Sequence, residues 1–160
     1  MATIKQLLRR MLVRLVLCLT YFKLAIMKMN PYLIFEGNAE EVLNFYKDAL
    51  GGDILMLSRY GDSPEKTDEE WKHKIIHSRL QFGDNLLMIS DGFKGYKTEG
   101  KGNIQLSLEM DSEEQLHEVF NKMSEGGNVT MPVAKQFWGA HFGMLVDKFG
   151  IAWMFNYSLG

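Results

Sequence analysis

The chain has 160 residues, of which 46% are hydrophobic and 24% charged, which is typical of a single domain with a real core. Its formal net charge is −2, but residues 1–28 hold six of the 18 basic residues and none of the 20 acidic ones. The remainder therefore carries a charge of −8 and repels a phosphate backbone, which argues against nucleic acid as a partner. The single cysteine, Cys18, excludes an intrachain disulfide and favours a cytoplasmic location.

Residues 1–28 form a basic leader with an apolar stretch. Lys23 interrupts that stretch, and the leader contains neither a small-residue cleavage pattern nor the run of ~20 apolar residues that a spanning helix needs. We therefore expect the leader to lie outside the mature or true protein, with translation starting at Met27 or Met29. The alternative is a basic amphipathic helix on a membrane or partner, and membrane contact is expected only in that case. Its shared helical face would carry Leu8, Leu12, Leu15 and Leu19.

The rest of the chain repeats one pattern at a spacing of 74 residues. In each copy an acidic start precedes an apolar stripe at helical spacing, and a Gly-Gly pair ends it. A unit of this size cannot bury the open face of its own sheet, so the repeat predicts two modules that pack together and form a cleft. The repeated positions are Val42, Phe45, Tyr46, Ala49 and Gly52 in the first copy, and Leu116, Val119, Phe120, Met123 and Gly126 in the second.

The elements follow in chain order within a domain that spans residues 29–160. In the first module, about 30–91, the patterns predict strand 30–36, helix 38–50, and strands 53–60, 73–82 and 85–91. In the second module, about 103–157, they predict strand 103–110, helix 112–125, and strands 128–136, 140–147 and 151–157.

Two strands alternate clearly enough to predict which side chains face the helices. In the third strand, the residues expected to face inward are Ile76, Ser78, Leu80 and Phe82, while His77, Arg79 and Gln81 face outward. In the fifth strand, the inward residues are expected to be Ile104, Leu106, Leu108 and Met110, with Asn103, Gln105, Ser107 and Glu109 opposite. The two polar faces are expected on the same side of the fold.

Four motifs give residues 30–157 a family resemblance. They are NPYLIFEGNAEEVLNFYKDALGG, RYGD, HSRLQFGDNLLMISD and QFWGAHFGMLVDKFGIAW. As a set they resemble the PhnB-like branch of the vicinal oxygen chelate superfamily. The resemblance implies an α+β fold in which two βαβββ modules form a U-shaped, eight-stranded mixed sheet around a cleft, commonly in a homodimer. Members include glyoxalase-like isomerases, extradiol dioxygenases, epoxide-opening resistance enzymes and drug-sequestering bleomycin resistance proteins.

Enzymes of this superfamily usually hold a divalent metal with His, Glu or Gln side chains from four strands. The resemblance places those four positions at Pro31, Met88, Asn103 and Met154. A slip of one residue would instead present Asn30 or Tyr32, Ser90 or Leu87, and Phe155, and that set is no better suited to a metal. Proline offers no side-chain donor, a thioether is a soft ligand, and a lone amide binds an ion weakly. We therefore expect no metal at these positions and no cofactor.

The outward polar residues predict a ligand site instead. A neighbouring His and Arg suit a small anionic or carbonyl-bearing molecule, Gln and Ser can orient it, and Trp offers a flat apolar contact. The same residues would also serve a concave sheet that merely faces water. The predicted cluster consists of His77, Arg79, Gln105 and Ser107, with Ser90, Gln136 and Trp138 as walls.

Two functional hypotheses remain open at this stage. In the first, the protein is a metal-free module that binds a small molecule in the clefts of a homodimer. In the second, it is a lyase, isomerase or other transferase-type enzyme that uses His77 as an acid–base group or an unconventional metal site. Two further histidines are expected outside this chemistry: His117 on the exposed side of the second helix, and His141 at a cleft or dimer rim.

Overall fold

The computed structural model of the protein describes residues 28–64, 66–98 and 103–159, so the leader prediction lies outside the described residues except at Lys28. The predicted two helices and eight strands are confirmed. In chain order they are β1 (Tyr32–Phe35), α1 (Ala39–Leu50), β2 (Asp53–Arg59), β3 (Ile75–Phe82), β4 (Asn85–Asp91), β5 (Leu106–Glu109), α2 (Glu113–Ser124), β6 (Asn128–Lys135), β7 (Ala140–Val146) and β8 (Ala152–Ser158). Neither helix of the described ranges is long and apolar enough to cross a bilayer.

The eight strands form two four-stranded mixed sheets, one for each module. Their strand orders are β1-β4-β3-β2 and β5-β8-β7-β6. The pairs β1–β4 and β5–β8 are parallel, and the other pairs are antiparallel. A hairpin can join antiparallel neighbours, whereas each parallel pair is separated by the rest of its module.

The two helices form where the apolar stripes predict them, and each has favourable ends. Acidic residues occupy both first turns, where they meet the positive end of the helix dipole. At the start of α2, the Ser112 hydroxyl accepts a hydrogen bond from the Gln115 backbone N–H at 3.1 Å. The stripe of α1 buries Val42, Leu43, Tyr46 and Ala49, and that of α2 buries Leu116, Val119, Phe120 and Met123.

The repeated Gly-Gly pairs have two separate roles. The first glycine of each pair, Gly51 or Gly126, adopts the left-handed conformation that ends the helix, with φ of 67° and 70°. The second, Gly52 or Gly127, lies so close to a neighbouring strand that a Cβ would stand 2.6 Å from a carbonyl oxygen. Glycines with the same role are 75 rather than 74 residues apart, because Glu125 lies between the end of α2 and Gly126.

Both sheets and both helices share one hydrophobic core, so the predicted packing of the modules is confirmed. Its largest fully buried side chains include Tyr46 of α1 and Trp153 of β8. Their rings meet edge to face with centroids 5.4 Å apart, which joins the helix of one module to the sheet of the other.

The prediction of which β3 side chains face the helices is wrong at the first of the expected inward residues, Ile76. Ile75, not Ile76, is fully buried, while Ser78 and Leu80 are buried as expected. The pairing explains the difference: His77 lies opposite Ser58 but Ile75 opposite Arg59, so Ile76 is an extra residue in a bulge.

The prediction for the fifth strand is too long. Ile104 lies before β5 and is 76% exposed, whereas Leu106 and Leu108 pack against the core and Met110 is buried. The partner strand β8 begins pairing at Trp153, which lies opposite Leu106, so the residues before Leu106 have no partner in the sheet.

Candidate functional site

Each sheet has an outer face, defined here as the face opposite the helices, and the first sheet's outer face carries part of the predicted site. Leu87 and Ile89 of β4 lie in the core, so Met88 between them points outward. The pairing register then extends one row across the sheet. This row consists of Tyr32, Met88, Arg79 and Met56.

His77 lies two residues from Arg79 on the same strand and the same outer face, about 7 Å away along the strand. The Tyr32 hydroxyl lies 3.1 Å from His77 Nδ1, and the two rings are 5.6 Å apart at their centroids. Ser90 also lies on this face, two residues beyond Met88, and is buried. The structure therefore brings His77, Arg79 and Ser90 onto one surface and adds Tyr32 to them.

The Arg79 side chain is exposed, and its guanidinium forms no ion pair or hydrogen bond with any residue in the described ranges. The other arginine of those ranges, Arg59, is already paired: its Nη2 lies 2.6 Å from Glu40 Oε1. The hydrogen bonds to Arg59 lower the pKa of the Glu40 carboxyl below its ordinary value. Of the two arginines in the described ranges, Arg79 is thus the one that is available to an external anion.

A second tyrosine lies close to this surface. The Tyr60 hydroxyl donates a hydrogen bond to the Asp91 backbone carbonyl at 3.2 Å. Burial raises the pKa of Tyr60, and Asp91 and Tyr32 raise it further. The Tyr60 hydroxyl therefore stays protonated at neutral pH and acts as a donor.

The second sheet has an equivalent row with different chemistry. Across β5, β8, β7 and β6 the register aligns Ser107, Met154, Met144 and Met131. Met154 occupies the place that Met88 has in the first sheet, while Met144 stands where the first sheet has Arg79. Apart from Ser107, this row of the second outer face is consequently apolar and adaptable rather than cationic.

The pairing register bears on two of the four positions that the resemblance implies for the family's metal. Tyr32 rather than Pro31 lies opposite Met88, and Ser107 lies opposite Met154. Asn103 lies before β5 and outside the sheet. With Tyr32 in place of Pro31 and Ser107 in place of Asn103, the set would offer two hydroxyls and two thioethers, and the absence of a metal there stays a prediction.

The remaining predicted residues lie apart from His77 and Arg79. Trp138 is 51% exposed in the turn before β7, and its ring packs against Phe142 at 5.8 Å between centroids. The Gln136 backbone N–H donates to the Ala140 carbonyl at 2.8 Å, which closes that turn. Gln105 is exposed just before β5. The predicted single cluster is therefore divided between two sheets and two loops, and its role in binding stays a prediction.

A cavity of about 350 Å³ lies between the two modules and is lined by residues of both. Its lining includes Pro31, Phe82 and Leu87 from the first module and Leu106, Ser107 and Trp153 from the second. Ser107 is thus the predicted site residue that lines this cavity.

Sequence reasoning did not identify Tyr32 as the partner of His77. The signal was present, because Tyr32 precedes Leu33 in an alternating strand and Leu33 packs against the core. The parallel register that places Tyr32 beside Met88 could not be read from the sequence.

The comparisons with known proteins agree with this architecture. The family model described as 3-demethylubiquinone-9 3-methyltransferase matches residues 27–155. Protein PA1353 of Pseudomonas aeruginosa is 44% identical, with 82% of this chain and 98% of that chain covered and a TM-score of 0.75. The PhnB protein of Bacillus cereus is 27% identical, with 82% and 100% covered and a TM-score of 0.70. Protein YjdN of Escherichia coli K12 is 26% identical over 140 residues, which are 81% of this chain and 95% of YjdN.

More distant structures share the fold alone. A glyoxylase/bleomycin resistance protein/dioxygenase domain from Frankia is 12% identical, with 82% of this chain and 97% of that chain covered and a TM-score of 0.61. The chain therefore belongs to the PhnB-like family described as 3-demethylubiquinone-9 3-methyltransferase, and it has the vicinal oxygen chelate fold.

Proposed function

We propose that the protein binds a small anionic or carbonyl-bearing molecule against the outer face of its first sheet, without a metal at the positions that the fold's enzymes use. The observation that carries this proposal is the exposed Arg79 guanidinium, which has no carboxylate partner among the described residues and lies beside His77. A guanidinium offers five N–H donors in a planar arrangement that matches carboxylate and phosphate oxygens.

The residues around Arg79 suit such a ligand. Met88 and Met56 flank it in the same row and can pack against the ligand's carbon skeleton. Tyr32 and His77 provide hydrogen-bonding groups on one side of the row. The guanidinium favours an anionic group over a neutral carbonyl, because its hydrogen bonds to an anion are charge-assisted on both sides.

A homodimer would complete the site. Four apolar side chains on the two outer faces are between 39% and 43% exposed, and a second chain could cover them. Two chains that pair through these faces would enclose the ligand between an Arg79 row and a methionine row. The four side chains are Tyr32, Ile34, Met56 and Met131.

Methyl transfer is not part of this proposal, although the family description names it. The sequence contains no G-x-G-x-x-G motif, and neither α1 nor α2 follows a glycine-rich loop that could hold a nucleoside-type methyl donor. The exposed cationic row is the feature of this chain that supports a function.

The second candidate is a lyase, isomerase or other transferase-type enzyme, and the contact between Tyr32 and His77 favours it. A hydroxyl that donates to Nδ1 would fix the His77 tautomer with its proton on Nε2, which then faces the ligand as a general acid. In this mechanism Arg79 holds an oxyanion while His77 moves the proton.

A thermal-shift screen with small carboxylates, phosphonates and α-keto acids tests both candidates. We expect at least one class to raise the melting temperature of the wild type, and Arg79→Ala to lose that shift. Arg79→Lys is the matched control, because it keeps the charge but not the planar donors and should keep part of the shift. An unchanged shift in Arg79→Ala would contradict the binding site.

The His77→Ala variant distinguishes the two candidate functions. For a binding protein, His77→Ala weakens the ligand shift and no product forms in the wild type. For an enzyme, NMR detects turnover of the bound compound, and His77→Ala abolishes turnover while the thermal shift persists.

A further inference from the structure

A cluster of three metal-ligating side chains lies on the helix side of the second sheet, away from the proposed ligand surface. It joins Glu113 and His117 of α2 to His141 of β7. Their potential ligand atoms all lie within 4.8 Å of one another. Sequence analysis assigned His117 to the surface and His141 to a cleft or dimer rim, and it did not connect them.

Local structure explains why these residues meet. Glu113 and His117 are four residues apart, so they project from the same side of the first helical turns. His141 lies two residues before Gly143, where a Cβ would approach the Phe120 ring of α2 to 2.9 Å, so both positions face that helix. Strand β7 therefore places His141 beside the start of α2.

The distances suit a shared ion. Glu113 Oε1 lies 2.8 Å from His141 Nδ1 and 3.8 Å from His117 Nε2. Two ligand atoms of a tetrahedral zinc ion, each 2.0–2.1 Å from the metal, stand about 3.3 Å apart. Small side-chain rotations would bring all three atoms to that spacing, because two of the side chains are half exposed.

The environment of His141 Nδ1 is a second observation that supports a shared ion. Its Nδ1 atom is buried and has no hydrogen-bond partner among the described residues, although Glu113 Oε1 stands 2.8 Å away. The carboxylate oxygen thus lies off the axis along which the ring nitrogen bonds. An ion on that axis would satisfy Nδ1, and the carboxylate oxygen could bind the same ion from the side.

We propose that Glu113, His117 and His141 form a divalent-metal site, with Zn²⁺ as the favoured ion. Two imidazoles and one carboxylate are a ligand set that zinc accepts, and the set leaves a fourth position for water or an external ligand. The site is independent of the proposed ligand surface, since it uses none of its residues and lies on the opposite face of a different sheet.

The test is zinc titration of the tag-free, chelator-treated full chain by isothermal titration calorimetry, with elemental analysis after dialysis. We expect one zinc ion per chain, and a loss of affinity of about tenfold or more in each of Glu113→Gln, His117→Ala and His141→Ala. The matched controls are Glu118→Gln on the same helix, His73→Ala on another surface, and Cys18→Ser in the leader, and all three should bind zinc as the wild type does.

Cobalt substitution gives a second measurement that does not depend on affinity. The Co²⁺-loaded wild type should show the visible absorption of a four-coordinate site, and Glu113→Gln should lose it. If His141→Ala fails to fold, the two exposed positions decide the result. A wild type without stoichiometric zinc, or Glu113→Gln and His117→Ala variants that bind zinc unchanged, would overturn the proposal.

Discussion

Tyr46 and Asp147 are 101 residues apart in the sequence, and the Tyr46 hydroxyl donates a hydrogen bond of 2.6 Å to Asp147 Oδ2. The same oxygen accepts a hydrogen bond of 2.8 Å from Trp153 Nε1. The other carboxylate oxygen accepts from the backbone N–H groups of Phe149 and Ile151. A buried carboxylate with four donors fixes the turn between β7 and β8 against the helix of the other module.

Tyr46→Phe should therefore destabilise the protein by about 1–3 kcal/mol, because it leaves a buried carboxylate short of one donor. Burial and the nearby Asp147 charge raise the pKa of Tyr46 far above its ordinary value, so the hydroxyl remains a donor throughout the neutral range. Urea denaturation measures the change in free energy of unfolding. Tyr157→Phe, at a half-buried position whose hydroxyl has no described hydrogen bond, is the control and should cost little. Equal costs for the two variants would contradict a linking role for Tyr46.

Substitutions on the two faces of β3 should have different effects, with one face controlling stability and the other ligand binding. Leu80 is fully buried, so Leu80→Ala should cost about 2–5 kcal/mol through the cavity that it leaves. His77 and Arg79 lie on the outer face, and their alanine variants should each cost no more than about 1 kcal/mol. Thermal and urea denaturation of the three variants, compared with their ligand shifts, measures this difference. Unfolding of His77→Ala or Arg79→Ala would show that these side chains are structural.

The sequence predicted those features that depend on local periodicity. Both helices begin and end within about one residue of their predicted bounds, because the apolar stripe, the acidic first turn and the Gly-Gly pair act over a few residues. The bulge at Ile76 was not predicted, since it depends on how β3 pairs with β2 rather than on the sequence of β3 alone.

The candidate site was predicted less completely, for the same physical reason. His77 and Arg79 share an outer face because they are two residues apart on one strand, which alternation determines. Trp138 and Gln136 belong to a turn of the other sheet, and the relation between two sheets is set by core contacts such as that of Tyr46 with Trp153. Contacts of that range have no signature in a single sequence.

The second glycines of the repeated pairs give a prediction about packing. Gly52→Ala and Gly127→Ala should each destabilise the protein by roughly 1–3 kcal/mol, because each added Cβ would stand 2.6 Å from a backbone carbonyl oxygen that cannot rotate away. Gly150→Ala is the control: its φ of 87° carries a conformational cost, but no atom lies within 4 Å of its Cβ position. Urea denaturation should give Gly52→Ala and Gly127→Ala a lower free energy of unfolding than the wild type. In these two variants the loss comes from a steric clash, whereas in the control it comes from the backbone conformation alone. A backbone oxygen cannot be replaced by a smaller group to relieve the clash. A Gly52→Ala variant as stable as the wild type would therefore show that the strands can shift apart.

The carboxyl group of Glu36 should titrate at an unusually low pH. Its oxygens accept hydrogen bonds from the Thr98 backbone N–H, the Lys97 ammonium and the Thr98 hydroxyl, and these lower its pKa from 4.5 to about 2. Because the folded-state pKa is depressed, the contribution of these bonds is complete above pH 4.5 and is lost as the pH falls through about 2. Carboxyl ¹³C NMR should give a Glu36 midpoint near that value, and the Thr98 amide resonance should shift with the same midpoint. In Glu36→Gln the Thr98 amide should show no such transition, whereas a Glu36 midpoint near 4.5 in the wild type would mean that the segment after β4 is not held by this carboxylate in solution.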